Sequence, residues 1–475
     1  MFSMTGAPLA AKKLLLAKCS RSIGASYFTS KSLHTNSENV VDFVISGGGM
    51  VGAAMACSLG NAPALKGKKI VLLEGAAEKE SFTLTEKYSN RVCALSPATV
   101  DLLTDLGSWQ EICNMRYQPV KRMQVWDSCS DSLITFSQAD MTEDLAYIVE
   151  NDVILASITA RLNALGDRVD VRYRTQAKAV SLPTPVEDVA STESPFVRVH
   201  LENGETLQTR LLIGADGSNS LVRRSADCHT ISWDYYQSAV VATLGISQME
   251  NNVAWQRFLP TGPIALLPLS NEFSSLVWST TTEDAKNLLQ LPDESFVDAV
   301  NDAYWHDRDK DSIAISLGQT FQGILNAAIP GGTSNRQLPP TVTDVVEGSR
   351  AMFPLSMVHS SEYVKPRIAL IGDAAHRLHP LAGQGVNLGF GDVVCLTQVL
   401  VDAVQRGSDV GGLSHLLQYE TQRQRHNLPV LLTIDGLQRL YGTKFSPFVI
   451  ARSLGLQATN ALDFVKNKII QQAAV

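Results

Sequence analysis

Short apolar runs that end on glycine or an acidic residue punctuate this chain. Asp42-Phe43-Val44-Ile45-Ser46 stops at three glycines, Lys69-Ile70-Val71-Leu72-Leu73 stops at Glu74, Leu211-Leu212-Ile213 stops at Gly214-Ala215-Asp216, and Arg367 to Ile371 stops at Gly372-Asp373. Unbroken apolar runs of this length predict buried strands. Between the first two runs, Ala53 to Leu59 is rich in small residues and predicts a tightly packed helix. The region from Tyr88 predicts a helix running through Leu102 and Leu103 towards Trp109, residues 120 to 136 alternate as a strand pair, and Glu150 to Leu165 has a helical period followed by a strand at Val169 to Tyr173. The Ser/Thr/Pro-rich stretch from Ser181 to Pro195 reads as a hairpin tip or exposed loop.

Between the third and fourth runs the period changes to two. Gln237 to Leu244, Val253 to Leu259, Ile264 to Leu269 and Ser274 to Thr280 predict a meander, with Pro260-Thr261-Gly262-Pro263 as a turn. Helices are expected at Asp284 to Leu291 and Glu294 to Tyr304, and an insertion with short helices from Trp305 to Arg350. Further helices are expected through Gln405, at Leu416 to His426, at Leu431 to Tyr441 and in a tail from Phe448 to Ile470. Packing on the body is the default for that tail, and contact with a bilayer is the alternative.

The first apolar run carries the most specific chemistry. Gly47-Gly48-Gly49-Met50-Val51-Gly52 is a G-x-G-x-x-G placed between a strand and a helix. Gly47 makes the tight turn, Gly49 leaves room for a pyrophosphate, and Gly52 lets the helix pack on the strand. The helix N-terminus offers free N–H groups to an anion. Glu74, 22 residues after Gly52, stands where an acidic side chain accepts ribose hydroxyls, which suits an unphosphorylated ribose; a plain surface carboxylate is the alternative. Dinucleotide binding follows from strand, loop, helix, second strand and acid in order.

Charge and composition narrow the reading. With 45% hydrophobic residues over 475 positions there is ample core for about three domains of ordinary size. Residues 1–37 carry Lys12, Lys13, Lys18, Arg21 and Lys31 and no acid, are dense in Ser and Thr, and read as a mitochondrial presequence. Without those five cations the formal charge moves from −7 to −12, which makes nucleic acid a poor partner. The seven scattered cysteines form no C-x-x-C, so neither a disulfide framework nor a structural zinc is expected. No apolar run reaches 18 residues, so no membrane-spanning helix is expected. His376 and His379 invite a metal reading that no partner cluster supports.

Three further positions have both a bland and a functional reading. Arg91 is either a surface cation or a donor to a phosphate or flavin edge. Asp216 sits where α/β sheets bind ligands, although Asp-Gly alone signals only a turn. Asp373 can accept sugar-chain hydroxyls, while the amides from Gly383 through Gln384 and Gly385 to Val386 can face an oxygen that becomes negative on reduction.

The glycine loop, Gly214-Ala215-Asp216-Gly217 and Gly372-Asp373 together resemble the single-component aromatic flavin hydroxylases. Tyr147-Ile148-Val149-Glu150-Asn151, Gly372-Asp373-Ala374-Ala375-His376 and Gly383-Gln384-Gly385-Val386-Asn387 look like the ubiquinone-biosynthesis hydroxylases among them, over roughly Val41 to Asn460. With the presequence, the resemblance points to the mitochondrial members acting at ring carbon C5. It implies an α/β fold: a Rossmann-like FAD-binding domain of the glutathione-reductase type (41–116, 147–225 and 350–430), interleaved with a β-sheet substrate domain (117–146 and 226–349, with an insertion near 305–349) and followed by a C-terminal helical tail (431–475).

The resemblance further implies FAD held by Gly47, Gly49, Gly52 and Glu74 at the ADP half, by Arg91 near the phosphates, by Asp216, by Asp373 on the ribityl chain and by Gly383, Gln384 and Gly385 at the isoalloxazine. It implies a polyprenylated phenolic substrate hydroxylated with O2 through a flavin C4a-hydroperoxide, with no catalytic side chain named. Expected partners are ferredoxin and ferredoxin reductase as electron donors, with NADPH visiting transiently as the alternative, and other ubiquinone-biosynthesis proteins, on the matrix face of the inner membrane. Ferredoxin docking would use a basic patch such as Arg223-Arg224 or Lys121-Arg122. Trp255, Phe258, Leu266, Leu267 and Pro380 are candidates for a substrate wall, with ordinary sheet core as the alternative for the sheet residues. A flavin halogenase or isoprenoid reductase would share the FAD positions, but W-x-W-x-I-P is absent and Trp255-Gln256-Arg257-Phe258-Leu259-Pro260 echoes it only in part. A carrier protein on the same fold is the third class.

Overall fold

The computed structural model describes residues 40–473 apart from 79–81, 131, 138–143, 184–194, 248, 307–309 and 329–336. The presequence positions and most of the Ser181 to Pro195 stretch therefore lie outside the described residues. Strands Ala177–Ser181 and Val197–Leu201, on either side of that stretch, pair antiparallel.

One sheet carries all four apolar runs. Strand Val40–Ser46 lies between Ile70–Leu73 and Thr206–Gly214, parallel to both, and Ile368–Leu370 runs parallel on the far side of Thr206–Gly214. The register aligns Ser46 with Leu73 and Gly214, and Gly214 with Leu370. The glycine loop, Glu74, Ala215-Asp216 and Gly372-Asp373 consequently share one edge, at the carboxyl ends of parallel strands, where such sheets bind ligands. Helices Met50–Asn61 and Gly385–Gln405 pack together on this sheet. The second of them is long and apolar enough to cross a membrane by length and composition, but Leu388, Phe390, Val393, Leu396 and Leu400 place its apolar face inside the core.

The expected meander lies within a nine-stranded sheet. Its long strand Thr230–Ile246 pairs with Phe273–Thr281 on one side and Ala351–Ser360 on the other. Ala351–Ser360 was assigned by sequence to the FAD-binding part; the structure moves that boundary past Ser360. Four other expectations change as well. Val92–Leu95 is a strand paired with Ala146–Glu150, because Pro97 forces an extended Ser96, which caps the following helix through Thr99 N–H. Among its described residues the insertion holds one helix of 17 residues, Ser312–Ala328, and a strand, Val342–Val345, that joins the sheet. Leu413–Tyr441 is a single helix through Pro429, held in line by the burial of Asn427, Leu431 and Ile434 around the proline. The tail, by contrast, divides into Ser446–Ala461 and Asp463–Ala473.

A buried ion pair fastens the tail to the meander sheet. The Arg452 guanidinium grips Asp127 through Nε to Oδ2 at 2.9 Å and Nη2 to Oδ1 at 3.0 Å, and Nη1 donates to the carbonyls of Leu440, Tyr441 and Thr443. Asp127 also accepts from Cys129 N–H and Ser130 Oγ. Removing one member of such a pair strands a buried charge. Asp127→Ala is expected to lower unfolding free energy by about 3–5 kcal/mol, read as a shift of the urea midpoint against wild type.

Candidate active site

A cavity of about 1280 Å3 runs from the glycine-loop edge of the parallel sheet to the inner face of the meander sheet and the C-terminal helices. One end is lined by Gly49, Arg91, Cys93, Ala215, Gly217, Asp373, Gly383, Gln384 and Gly385. The other is apolar, with Val125, Ile134, Phe258, Leu267, Pro380 and Leu456 among its walls.

At the first end the glycines divide into two kinds. Gly47 has φ +105°, and a Cβ there would stand 2.5 Å from the Ala215 carbonyl oxygen; a Cβ on Gly52 would collide with the Gly47 carbonyl. Those two are required by the fold. A Cβ on Gly49 would meet no protein atom within 4 Å, so the space it faces is cavity, and the helix N-terminus behind it points that way. The Glu74 carboxylate accepts from Gly48 N–H at 2.8 Å and Ala76 N–H at 2.6 Å, which holds it against the loop. This cradle fits the pyrophosphate and ribose of a dinucleotide.

The Gly372-Asp373 turn is braced from behind. Asp392, fully buried, accepts from Gly372 N–H at 2.9 Å and His376 Nε2 at 2.6 Å on one oxygen, and from Arg423 Nε at 2.7 Å and Asn427 Nδ2 at 3.3 Å on the other. Burial pushes its carboxyl up, but His376, Arg423 and the Gly372 N–H outweigh that and hold it below the usual range. Arg223 adds Nη1 to the Ala374 carbonyl at 2.7 Å. Asp373 itself projects into the cavity. The surrounding protein raises its carboxyl above the ordinary value, against the pull of His376 and Arg377. Nearby, Cys93 donates to Asn151 Oδ1 at 3.0 Å, and burial, helped by Asp373, pushes its thiol up to about 12. Asn387 ties the glycine turn to the facing strand: its amide donates to Ala94 O and accepts from Ser96 N–H and Thr99 Oγ.

Several sequence assignments need correction. The Asp216 carboxylate caps the helix Leu221–Ser225, accepting from Ser220 Oγ and the N–H groups of Leu221 and Val222, so Ala215 and Gly217 line the cavity in its place. Trp255 and Leu266 point to the opposite face of the meander sheet, into a core with Phe296 and Val300, whereas Phe258 and Leu267 face the cavity. Arg223 is buried and tied to the Ala374 and Ser218 carbonyls, which removes it from any docking surface. Arg91 is exposed at the cavity edge. His379 is buried with both ring nitrogens unpartnered among the described residues, edge-on to Tyr235, and burial lowers its pKa to about 4. Among the described residues no group of three His, Cys, Asp or Glu could hold a metal.

The Asp392, Asn387 and Arg423 contacts were missed by sequence reasoning. For Asp392 and Asn387 the signal is a polar residue at a core position of the otherwise apolar helix Gly385–Gln405; Arg423 lies in a polar stretch of its helix, where nothing local marks it.

The sequence profile of the FAD binding domain family matches residues 40–314 and 339–431. The fold is shared with P. aeruginosa PqsL, solved in complex with 2-aminobenzoylacetate, at 20% identity and a TM-score of 0.64, covering 88% of this chain and 99% of that one. Fold and profile thus define a member of the FAD binding domain family. The chain is 54% identical over 441 residues to "Ubiquinone biosynthesis monooxygenase COQ6, mitochondrial" of Danio rerio, covering 93% of this chain and 91% of the relative. It is 52% identical over 440 residues to the Homo sapiens protein of the same name, covering 92% and 93%. This chain belongs to the COQ6 family of ubiquinone-biosynthesis monooxygenases. The halogenase, reductase and carrier alternatives end with that assignment.

Two outcomes follow from the geometry. Gly49→Val should fold and melt normally but purify without flavin, because its side chain enters cavity and not protein; Gly52→Val should lose the fold. Flavin absorbance and thermal melting separate the two.

Asp373→Asn should cut FAD affinity by about tenfold or more, since hydrogen bonds to a charged group contribute about 1.5–3 kcal/mol. The same variant should melt above wild type when both are stripped of FAD at neutral pH. The folded-state pKa of Asp373 is raised, so the fold binds this proton more tightly than the unfolded chain does, and stability falls as pH rises past that value. The amide removes this penalty, which scanning calorimetry of the apo proteins against pH would register.

Proposed function

We propose that this chain hydroxylates C5 of a polyprenylated 4-hydroxybenzoate-type ring in ubiquinone biosynthesis. It does so in the mitochondrial matrix, at the face of the inner membrane and alongside other proteins of that biosynthesis, with electrons from ferredoxin and ferredoxin reductase. The observation that carries the reading is the single continuous cavity: a polar cradle suited to FAD at one end opens into an apolar chamber suited to a ring bearing an isoprenoid tail at the other. The relatives' name supplies the pathway and the mitochondrial setting.

Gly47, Gly49, Gly52 and Glu74 would hold the ADP half of FAD, with Arg91 near its phosphates, Asp373 on the ribityl hydroxyls and the amides from Gly383 to Gly385 at the ring system. Bound FAD supplies the activation of O2 once it has been reduced. The chain's own task is to place the phenolic ring beside that centre and keep water away. Phe258, stacked on Tyr441 with ring centroids 3.8 Å apart, and Leu456, Val125 and Ile134 packed around them form a dry wall for the tail. No side chain is needed as acid or base, because the ring is activated by its own hydroxyl. Only one strand–glycine loop–helix unit is present among the described residues, and FAD uses it. Two sources remain, NADPH visiting transiently or ferredoxin docking, and the mitochondrial setting favours ferredoxin.

FAD-loaded protein, mixed anaerobically with NADPH alone and then with ferredoxin, its reductase and NADPH, should bleach only in the second case. Admission of 18O2 with a prenylated 4-hydroxybenzoate should then place one labelled oxygen at C5. Fast bleaching by NADPH alone would refute the donor; label at another carbon, or none, would refute the reaction.

A further inference from the structure

Alternation along the strand Val253–Leu259 places Ala254, Gln256 and Phe258 on the cavity face. Gln256 is the anomaly among them. Its cross-strand partners are Val125 and Ala265, and its neighbours on the same face are Ala254 and Phe258, so an amide stands in an apolar wall. It is 5% exposed and lines the cavity. Several other amides and cations of the lining are held by protein. Asn90 donates to the Ser349 carbonyl, Asn387 to Ala94, Asn151 accepts from Cys93, and Arg452 grips Asp127. The Gln256 amide has no hydrogen-bond partner among the described residues.

Its place along the cavity is equally specific. Ala254, two residues before it, packs with Val92 and Ala94, at the end where Asp373 and the glycine turn stand. Phe258, two residues after it, stacks on Tyr441 at the far end. Gln256 therefore lies at the junction between cradle and chamber, where a ring must sit if its tail runs along Phe258 and Leu456.

We propose that Gln256 is the specificity-determining residue that reads the oxygen substituent of the aromatic ring, an inference that rests on the chamber being the substrate site. A water can satisfy the amide in the free cavity. A ligand filling the chamber displaces that water, and unless it offers a polar group at this position it leaves a buried amide unpaired. Because an amide both donates and accepts, it can pair with a phenolic hydroxyl in either orientation. Rings without oxygen there are rejected, and the tail contributes affinity without discrimination.

The test uses FAD-loaded full-length protein and two probes, 2-prenylphenol and prenylbenzene, titrated by the change in flavin absorbance. Wild type should prefer the phenol by at least about tenfold. Gln256→Leu and Gln256→Met should bring that ratio close to one, by tightening prenylbenzene as the unpaired-amide penalty disappears and by weakening the phenol, with flavin content unchanged. Wild-type selectivity in both variants would overturn the inference, as would loss of flavin or fold in both, which would make Gln256 a structural residue. Equal binding of the two probes by wild type would overturn it while leaving the chamber as the substrate site; failure of wild type to bind either would overturn the chamber reading and, with it, this inference.

Discussion

A carboxylate with no access to water sits behind the cofactor end of this molecule, and much of the architecture answers to it. Asp392 can remain ionised only because four donors converge on it: a backbone N–H, an imidazole, a guanidinium and an amide. Those donors come from different parts of the chain. Gly372 and His376 belong to the turn that presents Asp373, while Arg423 and Asn427 belong to the helix Leu413–Tyr441. Asp392 itself rides on the helix whose N-terminus carries the Gly383 to Gly385 amides. The same ion cluster therefore sets the cofactor turn, the glycine turn and the helix that ends at Tyr441 in the chamber wall. A displacement of any one is opposed by the penalty of uncovering a buried charge.

That arrangement also explains why the molecule reads as one unit from Val40 onward even though it contains two large sheets. The long strand Thr230–Ile246 and its neighbour Ala351–Ser360 bring the chain across from one sheet to the other, and Arg452 pins the C-terminal helices over the junction. The cavity and the glycine-loop cradle adjoin. They are one space, bounded by elements that the two buried clusters, at Asp392 and at Asp127, hold in place.

Much of this was legible in the sequence, and the failures have physical reasons. Gly47, Gly52 and Gly372 could be read because each lies at or soon after a strand end where a positive φ or a close approach demands glycine. Trp255 and Phe258 could not be sorted, because the strand carrying them is buried on both faces and a buried-both-sides strand gives no hydrophobic sign for which parity faces the ligand. Asp216 was misassigned because helix capping and ligand binding ask for the same side chain at the same place. Pro97 disguised a strand as the start of a helix, and Pro429 divided one helix into two on paper. Asp392 escaped because its importance lies in partners far away in sequence, which no local pattern contains.

Cys93 illustrates a different kind of consequence. Its sulfur lines the cavity beside Asp373, and oxidants such as peroxide attack thiolates far faster than thiols. Burial and the neighbouring Asp373 carboxylate keep this sulfur protonated well beyond neutral pH, and its hydrogen is already engaged by Asn151. The carboxylate that faces the cavity thus also makes the adjacent sulfur a poor target, so that resistance to oxidation is built into the same few ångströms as the Gly372-Asp373 turn.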